Sequence, residues 1–155
     1  MNDIKRINIS EMTVDTAREV AELEALCFGD PWPYQSFINT LSNDHAQYYT
    51  LTYYDTEDNR YFVGYIGMYD LIDEVSVINV AVHPDFRGNG AGVMLMERAE
   101  EYAMGRGCPA ITLEVRESNR PARALYERMG YTPYAVTKKY YSNPTEDAVL
   151  YRKGM

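Results

Sequence analysis

Cysteine and histidine, the residue types that form disulfides and zinc sites, are scarce in this sequence. It contains two cysteines, Cys27 and Cys108, and two histidines, His45 and His83, and their spacing does not match a zinc site. Two scattered cysteines are typical of ordinary thiols and do not make the disulfide framework of a small secreted protein. The sequence therefore predicts no metal site.

Long apolar runs and excess positive charge are absent as well. There is no stretch of about 18 consecutive apolar residues, and residues 1–12 carry no apolar signal core, so we expect a cytoplasmic protein that does not bind a membrane. The 15 Lys and Arg residues face 23 Asp and Glu residues, which gives a net charge of −8. This balance argues against direct nucleic-acid binding, which normally needs a basic face, and is compatible with a cationic partner.

The chain does contain enough apolar sequence for one folded domain. Its 155 residues are 46% hydrophobic and 25% charged, which is ordinary for a globular protein and wrong for a disordered one. It shows no internal repeat, no low-complexity tract and no linker rich in Pro, Gly or Ser. We therefore expect a single domain over residues 1–155.

Apolar periodicity, together with aromatic and β-branched composition in the strands, predicts four helices and six strands, arranged as a mixed α/β sheet with flanking helices. The first helix spans residues 13–28, with Val20, Leu23, Leu26 and Cys27 on one apolar stripe. In chain order, the later elements are a helix at 34–43, strands at 47–54, 61–69 and 74–82, a helix at 91–104, a strand at 110–115, a helix at 118–130, and extended segments at 131–141 and 147–153.

Three glycines, Gly88, Gly90 and Gly92, stand directly before the helix at 91–104 or within its first turn. Glycines at this position allow a ligand to approach the backbone, and the first helical turn leaves N–H groups free for an anion. A Walker A loop is excluded because no Lys-Ser or Lys-Thr follows the glycines. A dinucleotide-binding fingerprint would need glycine where Val93 stands. That alternative keeps some support from Glu114, which lies where a ribose-binding acid would be expected.

A third phosphate-binding pattern, [QR]-x-x-G-x-[GA], is matched completely by "RGNGAG" at residues 87–92. Together with the preceding "INVAVHPDF", this segment resembles the GNAT superfamily of acetyl-CoA-dependent N-acetyltransferases. A plain strand-to-helix turn is the alternative explanation. The resemblance implies an α/β (α+β) GNAT fold, with a mixed sheet of about six to seven strands, about four flanking helices, and a splayed strand pair that binds acetyl-CoA.

The cofactor-binding residues follow from the same resemblance. In the family, the glycine turn holds the pyrophosphate of coenzyme A, and backbone groups of the preceding strand bind the pantetheine arm. A residue after the next strand also contacts the cofactor, although it can equally be a helix cap. The implied residues are Val80, Ala81, Val82, Arg87, Gly88, Asn89, Gly90, Ala91, Gly92 and Asn119.

Three further stretches are similar to one subfamily, the ribosomal-protein-alanine N-acetyltransferases. They are "DPWPYQSF" at 30–37, "LEVRESNRPARALYERMGY" at 113–131 and "KKYYSNPTEDAVLY" at 138–151. The resemblance implies transfer of acetyl to a protein N-terminal α-amine, namely the N-terminal alanine of a ribosomal protein. A lysine side chain, a polyamine or a small-molecule amine stays open as the acceptor, as does a non-catalytic acyl-CoA sensor.

The subfamily resemblance also implies catalytic roles. It makes Glu114 the general base and Tyr126 the general acid toward the departing sulfur, although Tyr126 on an amphipathic helix could also be a packing residue. Glu74, next to Asp73, is a competing base because some superfamily members carry the catalytic acid on that strand. Aromatic side chains of the flanking segments either line the acceptor groove or belong to the core, namely Trp32, Tyr34, Tyr140 and Tyr141.

Overall fold

The structure, a computed structural model, describes residues 2–155 and adds one strand to the predicted order of elements. The longest helices have 14 and 15 residues, and no helix within the described range is both long and apolar enough to cross a bilayer. A short 3₁₀ helix at 84–86 precedes the third α-helix. The elements are β1 (Ile4–Glu11), α1 (Val14–Cys27), α2 (Tyr34–Thr40), β2 (Ala46–Asp55), β3 (Arg60–Asp70), β4 (Val75–Val82), α3 (Ala91–Gly105), β5 (Ala110–Arg116), α4 (Arg120–Arg128), β6 (Thr132–Tyr141) and β7 (Glu146–Gly154).

The strands form one seven-stranded sheet in the order β1-β2-β3-β4-β5-β7-β6. Every neighbouring pair is antiparallel except β4 and β5, which are parallel. The predicted mixed α/β sheet is therefore confirmed. Strand β1, which the sequence analysis did not predict, pairs with β2 at the edge, and six of its eight residues are exposed. Ile7 and Ile9 alternate with polar residues in this strand, so the strand period is present in its sequence, but only over a short run.

Helices cover both faces of the sheet. On one face, α1 and α2 bury Val20, Leu23 and Phe37 against Tyr48 and Tyr65. On the other face, α3 and α4 pack against a larger cluster from β2 to β7. The predicted inner residues of α3 all belong to this second cluster, namely Leu95, Met96, Ala99 and Ala103.

The apolar stripe of α1 corrects the sequence analysis at one position. Leu26 was expected to face the core but is 57% exposed, whereas Glu24 is 1% exposed. The helix turns about 100° per residue, so Ala17, Val20 and Glu24 lie on one line, and this line faces the sheet. The buried line of α1 therefore carries a carboxylate.

Strands β4 and β5 separate part-way along their length. Their parallel pairing runs from Val75–Ile111 to Val77–Leu113. At the next residue, Ile78, the register of β4 against β3 shifts, because Gly67 pairs with Asn79 while Met68 pairs with Val77. A bulge of this kind bends a strand and ends regular pairing. The rest of β4, residues 78–82, has no partner on β5 within the described chain, and this gap is the predicted splayed strand pair.

Replacement of Gly64 by alanine should destabilise the protein, because the glycine lies where β3 closely approaches β4. An added Cβ would lie 2.5 Å from the Ala81 carbonyl oxygen and 3.2 Å from Leu95 Cδ1. A strand backbone cannot easily move away, so we expect Gly64→Ala to lower the free energy of unfolding by about 1–3 kcal/mol. Urea denaturation at an unchanged m-value measures this loss. The matched control is Gly105→Ala, where a Cβ would meet nothing within 4 Å. An unaltered midpoint for Gly64→Ala would contradict the close approach.

Candidate active site

The glycine turn adopts the backbone conformation that its sequence requires. Gly88 and Gly90 have φ angles of +82° and +83°, which side chains of L-residues disfavour, and Gly90 is the N-cap of α3. A Cβ at either position would meet nothing within 4 Å, so close packing does not explain these glycines. The first helical turn beyond them has N–H groups without intrahelical acceptors. The turn thus forms an open cradle of backbone donors, which suits a pyrophosphate.

The other residues of the turn hold the cradle in place. Ala91, the first residue of α3, is buried in the core. A Cβ on Gly92 would lie 3.3 Å from Leu125 Cδ2, so this third glycine allows α3 and α4 to pack closely. The Arg87 side chain turns back toward the sheet: its Nε donates to the Val82 carbonyl at 3.0 Å, and a terminal nitrogen lies 3.4 Å from Cys27 Sγ. Arg87 therefore fixes the start of the turn to the end of β4.

The end of β4 turns backbone groups toward the gap. His83 N–H donates to the Val63 carbonyl at 2.7 Å, which makes this pair hydrogen-bonded across β3 and β4. Hydrogen-bonding direction alternates along an antiparallel ladder, so Ala81 also faces β3, whereas Val80 and Val82 face away from it. Outward-facing N–H and C=O groups beside a strand-sized gap can pair with an extended ligand as an added strand would.

Glu114 lies on β5 at the level where the strands separate. Its neighbours Leu113 and Val115 point into the core, so its own side chain points to the opposite face, and it is exposed. The Glu114 carboxylate, followed by burial, raises the pKa of Tyr140 to about 12. Burial, followed by the same carboxylate, also raises the pKa of Tyr141. Glu114 is therefore an accessible carboxylate bordered by tyrosine hydroxyls of β6.

Glu74 is less well placed to serve as a base at the gap. It precedes β4, near the Val75–Ile111 pair, whereas Glu114 follows the last pair, Val77–Leu113. The separation is about four residues, or roughly 13 Å along the strands. Both carboxylates lie on the same side, since each of them, after burial, raises the pKa of Tyr134. The geometry favours Glu114 over Glu74 because only Glu114 lies where the strands separate.

Tyr126 lies on α4, in the core cluster on the other face of the sheet. Its ring packs against the rings of Tyr131 and Tyr151, each with a centroid separation of 6.2 Å. Burial raises the pKa of Tyr126 to about 12, so the phenol is protonated at neutral pH and can donate. Among residues 2–155, the Tyr48 hydroxyl is the one fully buried side-chain oxygen or nitrogen that has no hydrogen bond. The Tyr126 hydroxyl is therefore not a fully buried group without a partner. Packing and an acid role are therefore compatible.

Asn119 caps α4, because its side-chain oxygen accepts from Ala122 N–H at 3.3 Å. The cap is thus confirmed, while its contact with a cofactor stays a prediction. His83 lies in a turn, where its Nδ1 accepts from Asp85 N–H at 3.1 Å. Cys108 is buried beside Asp70, and both Cys27 and Cys108 are free thiols.

Two loops border the face that carries Glu114. Arg116 holds the loop between β6 and β7, where its guanidinium donates to the carbonyls of Ser142 and Pro144 at 2.9 Å and lies 4.5 Å from the centre of the Tyr141 ring. This loop reaches the α1–α2 loop, where Asn143 Nδ2 donates to the Gly29 carbonyl at 3.0 Å. The segments predicted to flank an acceptor groove are therefore in contact.

The predicted aromatic residues of the groove divide into two groups. Tyr140, which is 52% exposed, lies with Tyr141 next to Glu114. In the α1–α2 loop, Trp32 is 36% exposed, with its ring 6.0 Å from that of Phe37. Tyr34 packs beneath Arg18 of α1.

Sequence analysis missed Glu24, whose carboxylate is hydrogen-bonded to Trp32, Tyr65 and Asn79. A signal was available, because position 24 lies four residues after Val20 and three before Cys27 on the apolar stripe of α1. A carboxylate at such a position needs buried partners, and these cannot be identified before the fold is known.

The fold and the site together define an acetyltransferase of the GNAT type. The sequence model of the acetyltransferase (GNAT) family matches residues 17–131, which is most of the chain, and the protein belongs to this family. The fold class expected from the glycine turn is therefore confirmed.

Relatives from several bacteria carry more specific names. A [ribosomal protein bS18]-alanine N-acetyltransferase from Salmonella typhimurium is 33% identical over 131 residues, covering 83% of this chain and 84% of the relative. The N-alpha-acetyltransferase RimI of Mycobacterium tuberculosis is 31% identical over 157 residues, covering 97% and 94%. The crystal structure of the ribosomal-protein-S18-alanine N-acetyltransferase from Escherichia coli superposes with a TM-score of 0.84 at 25% identity, covering 96% of this chain and 94% of that one.

The proximity of Glu114 and Tyr140 can be tested by titration. Replacement of Glu114 by glutamine removes a negative charge that opposes ionisation of the phenol. We therefore expect the pKa of Tyr140 to fall from about 12 toward the ordinary value near 10. Carbon-13 NMR of the tyrosine Cζ nuclei, assigned with Tyr140→Phe, measures the pKa in both proteins. A value unchanged by Glu114→Gln would place the two side chains apart.

Proposed function

We propose that this protein, as a single domain over residues 1–155, transfers acetyl from acetyl-CoA to the N-terminal alanine of a ribosomal protein in the cytoplasm. One observation carries the proposal: the exposed Glu114 carboxylate lies on β5 where this strand separates from β4, and Tyr126 lies in the core cluster on the opposite face of the sheet. The names of the relatives support the choice of acceptor. The net charge of −8 suits a basic acceptor protein.

Acetyl-CoA fits the residues that surround the gap, and it supplies the acetyl group as a reactive thioester. The cradle at Gly88–Gly92 would hold the pyrophosphate with backbone N–H groups, because both left-handed glycines leave it open. The outward backbone groups of Val80 and the Val82 N–H would pair with the pantetheine amides, with Ala81 fixed to β3 between them, while the Val82 carbonyl keeps its hydrogen bond from Arg87. Arg87 and Asn119 would support the turn and the start of α4. No residue beyond these is assigned to the cofactor.

Glu114 accepts the proton that the attacking amine loses. An α-amine has a pKa near 8, so about a tenth of it is already neutral at pH 7, and one carboxylate is a sufficient base. As the new C–N bond forms, the C–S bond breaks, and Tyr126 donates its phenolic proton to the departing sulfur. A phenol is protonated at neutral pH, and burial raises the pKa of Tyr126 further, to about 12, so the proton is present until the sulfur departs. Proton exchange with solvent restores both side chains.

Acceptor choice is tested with two synthetic peptides, acetyl-CoA and mass spectrometry. The first peptide has a free N-terminal alanine followed by basic residues. The second peptide has a blocked N-terminus and carries several lysines. We expect one added acetyl group on the first peptide alone, because the lysine ε-amine, with a pKa near 10.4, is harder to deprotonate.

Other outcomes of this assay would change the assignment. Acetylation of the blocked peptide would make lysine the acceptor. Silence on both peptides, with acetyl-CoA still bound in calorimetry, would contradict a peptide acceptor and favour a small amine or a non-catalytic sensor. Titration with NAD tests the dinucleotide alternative in the same instrument.

The catalytic pair is tested by two conservative variants. We expect Glu114→Gln and Tyr126→Phe each to lower kcat by about 10²–10⁴-fold, because each removes one proton transfer from the reaction. The dissociation constant of acetyl-CoA should stay within about twofold, since neither side chain lies in the phosphate cradle. Glu57→Gln, in the exposed turn between β2 and β3, is the charge-matched control and should retain full activity. Wild-type kcat in either catalytic variant would remove that residue from the mechanism.

A further inference from the structure

Glu24 is a buried carboxylate that has no part in the proposed proton transfers. It is 1% exposed, lies in the third turn of α1, and accepts hydrogen bonds from three different segments. Trp32 N–H donates to Oε2 at 3.0 Å, Asn79 Nδ2 donates to Oε1 at 3.0 Å, and the Tyr65 hydroxyl donates to Oε1. All three partners are neutral donors.

Burial of this carboxylate is unfavourable for stability alone. Removal of a charge from water costs free energy, and no cationic partner on these contacts offsets it. The desolvation is visible as a raised pKa for Glu24, despite its hydrogen bonds to Tyr65 and Trp32. An apolar side chain would fill the same line of α1, as Ala17 and Val20 do. The carboxylate therefore needs an explanation in what it connects.

Its first connection is to the α1–α2 loop, residues 28–33. The backbone carbonyl of Glu24 accepts from Phe28 N–H at 3.0 Å, and its side chain accepts from Trp32 N–H. One residue thus fixes both ends of the loop. The middle of the loop contacts the β6–β7 loop through Gly29 and Asn143, beside the face that carries Glu114.

Its second connection is to the splayed strand. Asn79 directly follows Ile78, where the register of β4 shifts, and directly precedes Val80, whose backbone faces the gap. Tyr65, the third partner, pairs with Ala81 on the same strand. Edge-on and stacked contacts with Phe37 and Tyr48 hold the Tyr65 ring in place. The Glu24 carboxylate therefore joins the α1–α2 loop, which borders the face that carries Glu114, to β4 beside the gap.

We propose that Glu24 is a positioning residue that sets the distance between the α1–α2 loop and β4, and thereby orients the acceptor amine at the gap. The part of this role that concerns the acceptor amine rests on the proposed function. The geometric part, that Glu24 holds the loop, stands on the hydrogen bonds alone. Glu24 touches neither reacting group, so its effect passes through Trp32 and Asn79.

The single tryptophan of the chain, Trp32, reports on this loop directly. In Glu24→Gln the side chain keeps one carbonyl oxygen and places an NH₂ group where the other oxygen accepts, so at least one of the hydrogen bonds seen with the carboxylate is lost. We expect acrylamide to quench Trp32 fluorescence about twofold more strongly, because the loop opens more often when a tether is removed. This measurement needs no acceptor and stays informative if the peptide assay fails.

Steady-state kinetics with the free-alanine peptide then separates positioning from folding. We expect Glu24→Gln to lower kcat/KM for the peptide by about tenfold or more, while the dissociation constant of acetyl-CoA changes less than about twofold. The matched control is Asp55→Asn, which alters an equally buried carboxylate that accepts from Asn59 and Tyr61 at the β2–β3 turn. It should lower the melting temperature without altering Trp32 quenching or peptide kinetics.

Clear results would overturn the proposal. Unchanged quenching in Glu24→Gln would show that the carboxylate does not hold the loop. Equal losses for peptide and acetyl-CoA, or the same kinetic loss in Asp55→Asn, would show a general effect of weakened folding. If Glu24→Gln does not fold, Asn79→Ala removes only the β4 connection of the carboxylate. It should still lower peptide kcat/KM by about threefold or more, and wild-type kinetics for that variant would refute the role.

Discussion

The structure depends on one interruption of backbone pairing, the separation of β4 from β5 after Val77 and Leu113. Three residue pairs join an antiparallel half-sheet of β1 to β4 with a second half of β5, β7 and β6. If the two strands stayed paired to their ends, the outward groups of Val80 and Val82 would bond to β5, and no ligand could reach them. Backbone donors and acceptors freed in this way must be satisfied by solvent or by a ligand. The gap is therefore both a defect in the sheet and the proposed binding surface.

The unequal covering of the two faces explains why the chemistry can occur at this gap. The larger core lies beneath β2 to β7 and encloses Tyr126, whereas α1 and α2 bury residues of β2, β3 and β4 on the opposite face. Glu114 on β5 therefore stays accessible although its strand is central. Glu114, the proposed base, is exposed to solvent, whereas Tyr126, the proposed acid, is buried on the opposite face of the sheet.

Sequence analysis predicted the parts of the protein that depend on local backbone chemistry. Gly88 and Gly90 could be recognised because left-handed φ angles leave few other residue types. The helices and inner strands could be recognised because their apolar spacing matches the helical or strand period. Strand β1 was missed although Ile7 and Ile9 alternate with polar neighbours, and Glu24 was missed because its three partners come from distant segments. The position of Glu114 at the strand separation also needed the fold, since it depends on the register between β4 and β5.

The contacts around the gap divide chemistry from acceptor recognition. Glu114 and Tyr126 stand on β5 and α4, which are fixed by sheet pairing and core packing. The two loops that border this face, α1–α2 and β6–β7, are held by a few polar contacts from Arg116, Asn143 and Glu24. A substitution in either loop can therefore alter which amine fits without moving Glu114 or Tyr126. Because Asn143 joins one loop to the other, however, a change on one side is felt on both. In the proposed function, acceptor choice is accordingly a property of the joined loops, and the proton transfers are a property of the sheet beneath them.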